Sequence, residues 1–281
     1  MEETSLRQAI DEAAVVLTRF LDQRKPVAGL ILGSGLNCYA DTLEQAQTLP
    51  FGDVPRMGVS TAEGHRGCFV LGKVAKTDTW VLCMQGRLHG YEGYSAAEVA
   101  FPVWVMQACG IDILITTNAA GAINPAFKVG TFCLMTDHIN ATGRNPLVGQ
   151  EPARMAQRFV PMMDAYDPSL RARMHEAAQQ TQVTLEDGVY LSVLGPSFET
   201  PAEIRAFATW GADTVAMSVV EEVIAARHCG MRVVGMSLLS NMACGVEGGD
   251  PTSDEVMDVA RAVEQDFTAL MDAFLQKLSC E

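Results

Sequence analysis

The 281-residue sequence lacks several features that would place it in particular classes of protein. It has no run of basic residues, and its formal net charge is −14, which argues against nucleic acid or an anionic membrane surface as a partner. No apolar stretch approaches the ~18 residues that a membrane-spanning helix needs. The first eight residues carry acidic side chains and no apolar core, so we do not expect them to act as a signal peptide.

The cysteines show no metal-binding pattern either. The chain has 8 of them, and none forms a Cys-x-x-Cys pair, which argues against zinc. Most lie inside apolar stretches, where a free cysteine behaves as a small hydrophobic residue. We therefore expect no metal and no disulfides, and a reducing, cytoplasmic location.

What the sequence does contain predicts an α/β fold. Hydrophobic residues make up 48% of the chain and charged residues 19%, which is enough for a sizeable core. Apolar stretches predict strands at 27–32, 68–74, 79–84, 111–117, 131–135, 189–194, 213–217 and 232–238. Helical spacing of apolar residues predicts helices at 6–21, 96–109, 168–180, 202–210, 222–229 and 253–278. This alternation predicts a mixed sheet with helices on both faces, in a single domain spanning residues 1–281.

The most informative segment, residues 85–94, places Arg87, His89 and Tyr91 at positions i, i+2 and i+4. In an extended segment, side chains at this spacing point to one face. An arginine and a histidine on one face suit the binding of an oxyanion, and the tyrosine adds a flat wall with a hydroxyl. The polar rim of a hairpin would explain the same pattern.

A second candidate for anion binding is Gly33-Ser34-Gly35, which follows a predicted buried strand. Its glycines let the backbone approach an anion, and the serine adds a hydroxyl donor. A dinucleotide fingerprint needs another glycine at position 38, where Cys38 stands, so a nicotinamide-dependent dehydrogenase is disfavoured. His65, between Gly64 and Arg66-Gly67, is a further candidate to bind an anion or move a proton.

Other polar and aromatic residues follow predicted strands. Asn118 and the small residues after it come after the strand at 111–117, where open α/β sheets bind their ligands. Phe198-Glu199 pairs a flat ring with a carboxylate, as a heterocycle bearing N–H donors requires. Met217-Ser218 and Ser240-Asn241 end two more strands, and an asparagine amide can read a base edge. Together these strand ends predict a site for a phosphate, a sugar and a base.

These motifs, in this order, resemble a known family. From about residue 27 to the C-terminus, the chain looks like the trimeric class of purine nucleoside phosphorylases, which also includes methylthioadenosine phosphorylases. The resemblance rests on the motifs at 31–36, 64–65, 85–93, 117–121, 137–140, 195–200 and 217–218. It implies a mixed-sheet α/β phosphorylase domain that assembles as a homotrimer and uses inorganic phosphate as co-substrate, with no cofactor.

The resemblance also implies roles for individual residues. Phosphate would be bound by Ser34, His65, Arg87, His89, Ala119 and Ser218. The ribose would be lined by Tyr91 and Met217, and by Phe159 reaching in from a neighbouring subunit. The purine would be held by Ala120, Gly121, Phe198, Glu199, Val215 and Asn241. Of these residues, His89, Glu199 and Asn241 are the expected catalytic ones, and Glu92 is expected to hold His65 or Arg87 in place.

Asn241 bears on the substrate, because an amide suits the O6 and N7 of a 6-oxopurine, whereas relatives that use 6-aminopurines tend to carry aspartate there. We therefore expect phosphorolysis of inosine and guanosine, with methylthioadenosine phosphorylase as the alternative. The second alternative is a non-catalytic nucleotide-binding protein of the same fold. The presence of Arg87, His89, Glu199 and Asn241 argues against this alternative. The chain departs from the family pattern at Glu63, Ala216, Glu221 and Ser253.

Overall fold

The computed structural model describes residues 5–62 and 64–279. Its strands are β1 (Gly29–Leu32), β2 (Glu44–Pro50), β3 (Cys68–Lys73), β4 (Trp80–Gln85), β5 (Ile113–Ala122), β6 (Phe132–Asn140), β7 (Leu185–Ser192), β8 (Thr214–Ala216) and β9 (Arg232–Met242). Its helices are α1 (Leu6–Leu21), α2 (Ala96–Ala108), α3 (Glu151–Met155), α4 (Pro168–Thr181), α5 (Pro201–Thr209), α6 (Val220–His228), α7 (Ser253–Ala262) and α8 (Glu264–Leu278). The expectations for Glu63 and Cys280 lie outside the described residues.

The nine strands form one mixed sheet in the order β2-β3-β4-β1-β5-β8-β7-β6-β9. Strand β9 also pairs in parallel with β5 along its whole length, so β5 to β9 close on themselves. On its other edge β5 pairs with β1 up to Thr116 and with β8 only from Gly121 onward. Between these two points no strand of the described residues pairs with β5 on that edge, and the sheet opens.

Helices cover the sheet on both sides, as the alternation of strands and helices predicted. One core cluster joins α1, α2 and α6 to the sheet and includes Leu17, Trp104 and Val223. The other joins α4 and α8 to the opposite side and includes Met174 and Phe267. Because both faces are covered, the central strand β1 is buried at every residue.

Side-chain caps fix where several helices begin. Ser95 and Glu98 form a capping box at the start of α2, and Thr200 and Glu203 form another at the start of α5. In such a box each of the two residues satisfies a backbone N–H that the first helical turn leaves unpaired. The cap at Thr200 therefore fixes the point where the segment carrying Phe198 turns into α5.

Two expectations about the elements were wrong, and one strand was missed. The helix predicted at 253–278 is two helices that meet at Val263. The strands β5 and β9 continue through the segments 118–121 and 240–241, which we expected to follow strands rather than belong to them. Strand β2 was not predicted at all. Within the described part of the chain, no helix is long and apolar enough to span a membrane.

Candidate active site

A cavity of about 400 Å³ lies where the sheet opens, beside the ends of β1, β4, β5, β8 and β9. Thirteen of the residues expected in the site line it: Ser34, Arg87, His89, Tyr91, Ala119, Ala120, Gly121, Phe198, Glu199, Val215, Met217, Ser218 and Asn241. Ala216 and Ser253, two of the departures from the family pattern, also line it. Sequence positions from 34 to 253 are thus brought to one place by the topology of the sheet.

Arg87 is the fixed cation of the site and is only 1% exposed. Its Nε and Nη2 donate to the two carboxylate oxygens of Glu222, at 2.7 and 3.1 Å. Nη1 donates to the Thr117 carbonyl at 2.6 Å, and Nη2 donates to Thr116 Oγ1 at 2.9 Å. A guanidinium has five N–H groups, so these four bonds leave one, on Nη1, without a partner among the described residues. Nη1 lies beside Gly33, next to the loop that carries Ser34.

Glu222 is a residue of the site that the sequence did not indicate. It is 1% exposed, in the first turn of α6, and also accepts a hydrogen bond from Thr116 Oγ1 at 2.6 Å. A buried bidentate ion pair of this kind holds the guanidinium in one orientation. No residue near Glu222 in the sequence indicates that its carboxylate pairs with Arg87.

We call the part of the cavity lined by Arg87, His89, Ser34 and Ser218 the anion end. His89 is its second charged or titratable side chain after Arg87. Its Nδ1 lies 2.7 Å from Glu92 Oε1, and its backbone N–H donates to the same oxygen at 2.9 Å. The other oxygen, Glu92 Oε2, accepts from the Thr61 N–H and hydroxyl. Glu92 therefore holds His89, not His65 or Arg87 as we expected. Burial lowers the pKa of His89, and the Glu92 carboxylate opposes that shift.

His65 lies behind His89 rather than in the cavity wall. The two rings stack with centroids 5.1 Å apart, and Tyr91 stacks on the other side of His89 at 4.6 Å. His65 Nδ1 accepts from the Arg87 N–H at 3.2 Å, and Nε2 is buried without a partner among the described residues. Burial lowers its pKa to about 4, so the ring is neutral at pH 7.

Tyr91 shares the cavity with Arg87 and His89, though not for the predicted reason. It lies in a single turn of 3₁₀ helix, Gly90–Glu92, rather than in an extended segment. The turn folds the chain back so that the Tyr91 ring covers His89. The i, i+2, i+4 spacing thus indicated the right residues through a different backbone geometry.

Two serines approach the anion end from opposite sides. Ser34 follows Gly33, where a Cβ atom would come within 2.5 Å of Asn118 Cα, so only glycine lets the loop lie against β5. The Ser218 carbonyl accepts from the Tyr190 hydroxyl at 2.9 Å and from Ser192 Oγ at 3.1 Å. The Ser34 loop is thereby held against β5, and the Ser218 loop against β7.

The residue after Ser218 has a strained backbone. Val219 has φ 77° and ψ −50°, and the Val220 N–H donates to the Ser218 carbonyl at 2.9 Å. A β-branched residue is rarely found at positive φ, and this γ-turn geometry is strained. Val219 is completely buried, so its packing holds the turn in place. Strain of this kind concentrates at functional sites, and the residue before it, Ser218, lines the cavity.

The part of the cavity lined by Phe198, Glu199 and Asn241, which we call the base end, is less enclosed. Phe198 is 46% exposed, and burial raises the pKa of Glu199. Asn241 is held more firmly, since its Oδ1 accepts from Ser240 Oγ at 2.8 Å and its Nδ2 donates to the Met242 carbonyl at 3.0 Å. One N–H of Asn241 remains for a ligand.

Phe159 does not line the cavity of its own chain. It is 81% exposed, in the segment after α3; Met163 in the same segment is 84% exposed, and Val148, before α3, is 80% exposed. Its expected role in a neighbouring subunit stays a prediction. Among the described residues no group of three or more His, Cys, Asp or Glu side chains is arranged to hold a metal ion.

Comparison with known proteins places this fold and cavity in a class. Residues 27–276 match the family described as the phosphorylase superfamily, and the chain belongs to it. A crystal structure of Schistosoma mansoni purine nucleoside phosphorylase in complex with adenosine superimposes with a TM-score of 0.88 at 33% identity, covering 95% of this chain and 96% of that one.

Similar protein sequences indicate which family within this superfamily the chain belongs to. Purine nucleoside phosphorylase 1 of Bacillus subtilis (strain 168) is 45% identical over 270 residues, covering 96% of this chain and 98% of the relative. The Bos taurus purine nucleoside phosphorylase is 42% identical over 250 residues, covering 86% of each. Within the superfamily the chain is therefore an enzyme of the purine nucleoside phosphorylase family, a pentosyltransferase.

Proposed function

We propose that this enzyme carries out reversible phosphorolysis of 6-oxopurine ribonucleosides and deoxyribonucleosides, such as inosine and guanosine, in purine salvage. The products are the free base and ribose or deoxyribose 1-phosphate. One observation carries the proposal: Arg87 bonds to β5 at Thr117, and Asn241 lies beside Gly121, four residues further along the same strand. His89 and Glu199 line the same cavity. This separation suits a phosphate nucleophile and a purine leaving group on either side of a ribose.

At the anion end, phosphate would accept hydrogen bonds from Arg87, His89, Ser34, Ser218 and the Ala119 backbone, with His65 behind His89. Binding there places a phosphate oxygen beside the anomeric carbon, and positioning removes much of the entropic barrier. As the C1′–N9 bond breaks, the ribose becomes cationic, and the phosphate charge stabilises it. Tyr91 and Met217 would line the sugar.

At the base end, the electron pair of the breaking bond moves onto the purine. Asn241 would stabilise this charge by donating to N7, and Glu199 would accept from the N1–H of the 6-oxopurine. Phe198 would pack on the ring, with Ala120, Gly121 and Val215 completing the pocket. The proton that phosphate loses on forming the ester balances the proton that the free purine gains, so no cofactor is needed.

The 6-oxopurine preference rests on Asn241, whose Ser240 and Met242 partners hold an amide donor at the base end. Methylthioadenosine phosphorylase activity is the less favoured alternative, since the similar curated proteins are named purine nucleoside phosphorylases. The Schistosoma neighbour was solved with adenosine and with hypoxanthine.

We also propose a cytoplasmic homotrimer in which Phe159 closes the ribose pocket of a neighbouring subunit. The 81% exposure of Phe159 supports it, since a large apolar side chain that its own chain leaves uncovered is available to a neighbouring subunit. Sedimentation analysis of the wild type and of Phe159→Ala, together with nucleoside KM, tests this assembly. A monomeric wild type would contradict it.

Release of purine from inosine, measured with and without phosphate, tests the catalytic proposal. We expect hypoxanthine to appear only when phosphate is present, together with an equal amount of ribose 1-phosphate. Release without phosphate would indicate a hydrolase, and no release in either condition would contradict the proposal.

A further inference from the structure

Arg144 lies where three parts of the protein meet, outside the cavity. Its Nη2 donates to the Tyr94 carbonyl at 2.6 Å, and its Nε lies 3.7 Å from Glu221 Oε1. Its guanidinium also occupies the space beside Gly90, where a Cβ atom would collide with Nη1. Arg144 therefore connects the segment between β6 and α4 to the turn after His89 and to helix α6.

The backbone of Arg144 is fixed as firmly as its side chain. Asn140 Nδ2 donates to the Arg144 carbonyl at 2.9 Å, and Thr142 Oγ1 accepts from the Arg144 N–H at 3.0 Å. The side chain is only 18% exposed. Since both ends of the residue are held, its charge lies at a defined position and is not averaged over solvent.

The charge of Arg144 is paired with the carboxylate of Glu221. Glu221 is 4% exposed and adjoins Glu222, whose carboxylate is already bound to Arg87. Burial raises the pKa of Glu221, the charge of Glu222 raises it further, and the charges of Arg144 and Arg87 lower it. The cluster thus contains two carboxylates, of Glu221 and Glu222, and two guanidinium groups, of Arg87 and Arg144. Without Arg144, the charge of Glu221 would act on Arg87 alone.

We propose that Arg144 is a positioning residue for the anion end of the cavity. It compensates Glu221, so that the charge and the open N–H of Arg87 are left for phosphate. It also supports, through Tyr94 and Gly90, the turn that carries Tyr91. This inference rests on the function proposed above, because phosphate is the anion whose binding it concerns.

Arg144→Gln in the full-length enzyme is the first test, with phosphate KM and kcat measured at saturating inosine. We expect phosphate KM to rise roughly tenfold, the effect of losing one charged interaction in a buried site, with a smaller change in kcat. Arg144→Lys keeps the charge but not the planar contacts with Tyr94, and should recover part of the loss.

The double variant Arg144→Gln/Glu221→Gln separates charge compensation from simple packing. It removes the uncompensated carboxylate, so phosphate KM should return toward the wild-type value. The ratio of phosphate KM between the single and double variants should shrink as pH falls, because protonation neutralises Glu221 in the single variant. Phosphate titrates equally in both, so its own ionisation cancels.

The matched control is Arg154→Gln, which breaks the exposed ion pair with Glu151 elsewhere in the same segment and should leave both constants unchanged. A wild-type phosphate KM in Arg144→Gln would overturn the inference, as would a defect that the double variant does not repair or that is independent of pH. A wild type that releases no purine with phosphate would instead overturn the proposed function, so the two failures are distinguishable.

Discussion

The anion end and the base end of the cavity differ in how completely the protein has paired its own polar groups. At the anion end Arg87 and His89 are 1% and 5% exposed, and each is held by a carboxylate, Glu222 or Glu92. At the base end Phe198 is 46% exposed. The charged groups of the anion end are therefore organised by folding itself, whereas the base end leaves its aromatic side chain half exposed.

This contrast has a physical reason. Charge stabilisation in a transition state is effective when the donors are oriented beforehand, so that nothing has to reorganise during the reaction. Orienting an arginine beforehand requires a fixed partner, and the buried carboxylate supplies it. A flat, neutral base is held largely by packing on a ring, with its polar contacts supplied by Glu199 and Asn241. Substitutions at the anion end should therefore affect stability and phosphate together, and those at the base end only the nucleoside.

Arg87→Met should have the largest effect. It leaves Glu222 buried without its cation, which typically costs about 3–5 kcal/mol of stability. It also removes the phosphate donor, so kcat/KM for phosphate should fall roughly 10³-fold or more. Urea unfolding and phosphorolysis kinetics measure the two effects.

The double variant Arg87→Met/Glu222→Gln is the control for this prediction. It removes the unpaired charge, so most of the stability should return while the activity stays low. Recovery of activity along with stability would show that Arg87 acts only as a structural residue, and the contrast between the two ends would lose its basis.

Asn241→Asp should have the next largest effect and changes the substrate. Aspartate keeps the bond from Ser240 but sets a carboxylate oxygen against the Met242 carbonyl, where the amide now donates. It also loses the donor to the base, so kcat/KM for inosine should fall roughly 10²-fold. Adenosine should gain activity, because its amino group can donate to the new carboxylate.

Asn241→Ala is the comparison for this variant, since it loses the donor without supplying an acceptor. It should lose inosine activity and gain none with adenosine. If Asn241→Asp also gains no adenosine activity, Asn241 does not determine the choice of base. The phosphate KM of both variants should stay close to wild type if the two ends are independent.

The sequence predicted the residues of the site better than it predicted their partners. Gly33 and Ser34, the 87–91 segment and Phe198-Glu199 stand out because each combines several chemically useful residues within a few positions. Glu222 does not, because its partner lies 135 positions away. The pairing of β1 with β4 and β5 brings Arg87 to Thr116, and the packing of α6 brings Glu222 to the same threonine. No local pattern contains that information.

The errors in the fold have a similar cause. Asn118 and the small residues after it read as a loop, yet β5 continues through them because β9 pairs with it in parallel to the end. Strand β2 was missed because its residues are mostly exposed, so it has no apolar alternation to detect. In both cases pairing with a distant strand outweighed local propensity.

Glu92→Gln should have an intermediate effect at the anion end. His89 loses its charged partner, so kcat/KM for phosphate should fall roughly tenfold. Burial would raise the pKa of Glu92, but hydrogen bonds from His89 and Thr61 outweigh it and lower the pKa from 4.5 to about 2. A depressed carboxylate pKa stabilises the fold above pH 4.5, and this contribution is lost as the pH falls toward 2.

The difference in urea midpoint between wild type and Glu92→Gln should therefore shrink as the pH falls from 4.5 toward 2. Glu203→Gln is a matched control, because Glu203 caps α5 with similar bonds from Thr200 but lies away from His89. It should reduce stability without raising the phosphate KM. A phosphate KM that rises equally in both variants would mean that Glu92 acts through stability alone.

Phe198→Ala should have the smallest effect and gives the sharpest test of the contrast. Stacking of a base on an aromatic ring is worth about 1–3 kcal/mol, so the nucleoside KM should rise roughly tenfold. Because Phe198 is 46% exposed, its truncation should leave the urea midpoint nearly unchanged, and Phe198→Tyr should keep the wild-type nucleoside KM. The phosphate KM decides the question, since an anion end that folding has already organised should not respond to the loss of a ring at the base end. A rise in phosphate KM equal to the rise in nucleoside KM would show that the two ends form one coupled site, assembled together when the nucleoside binds.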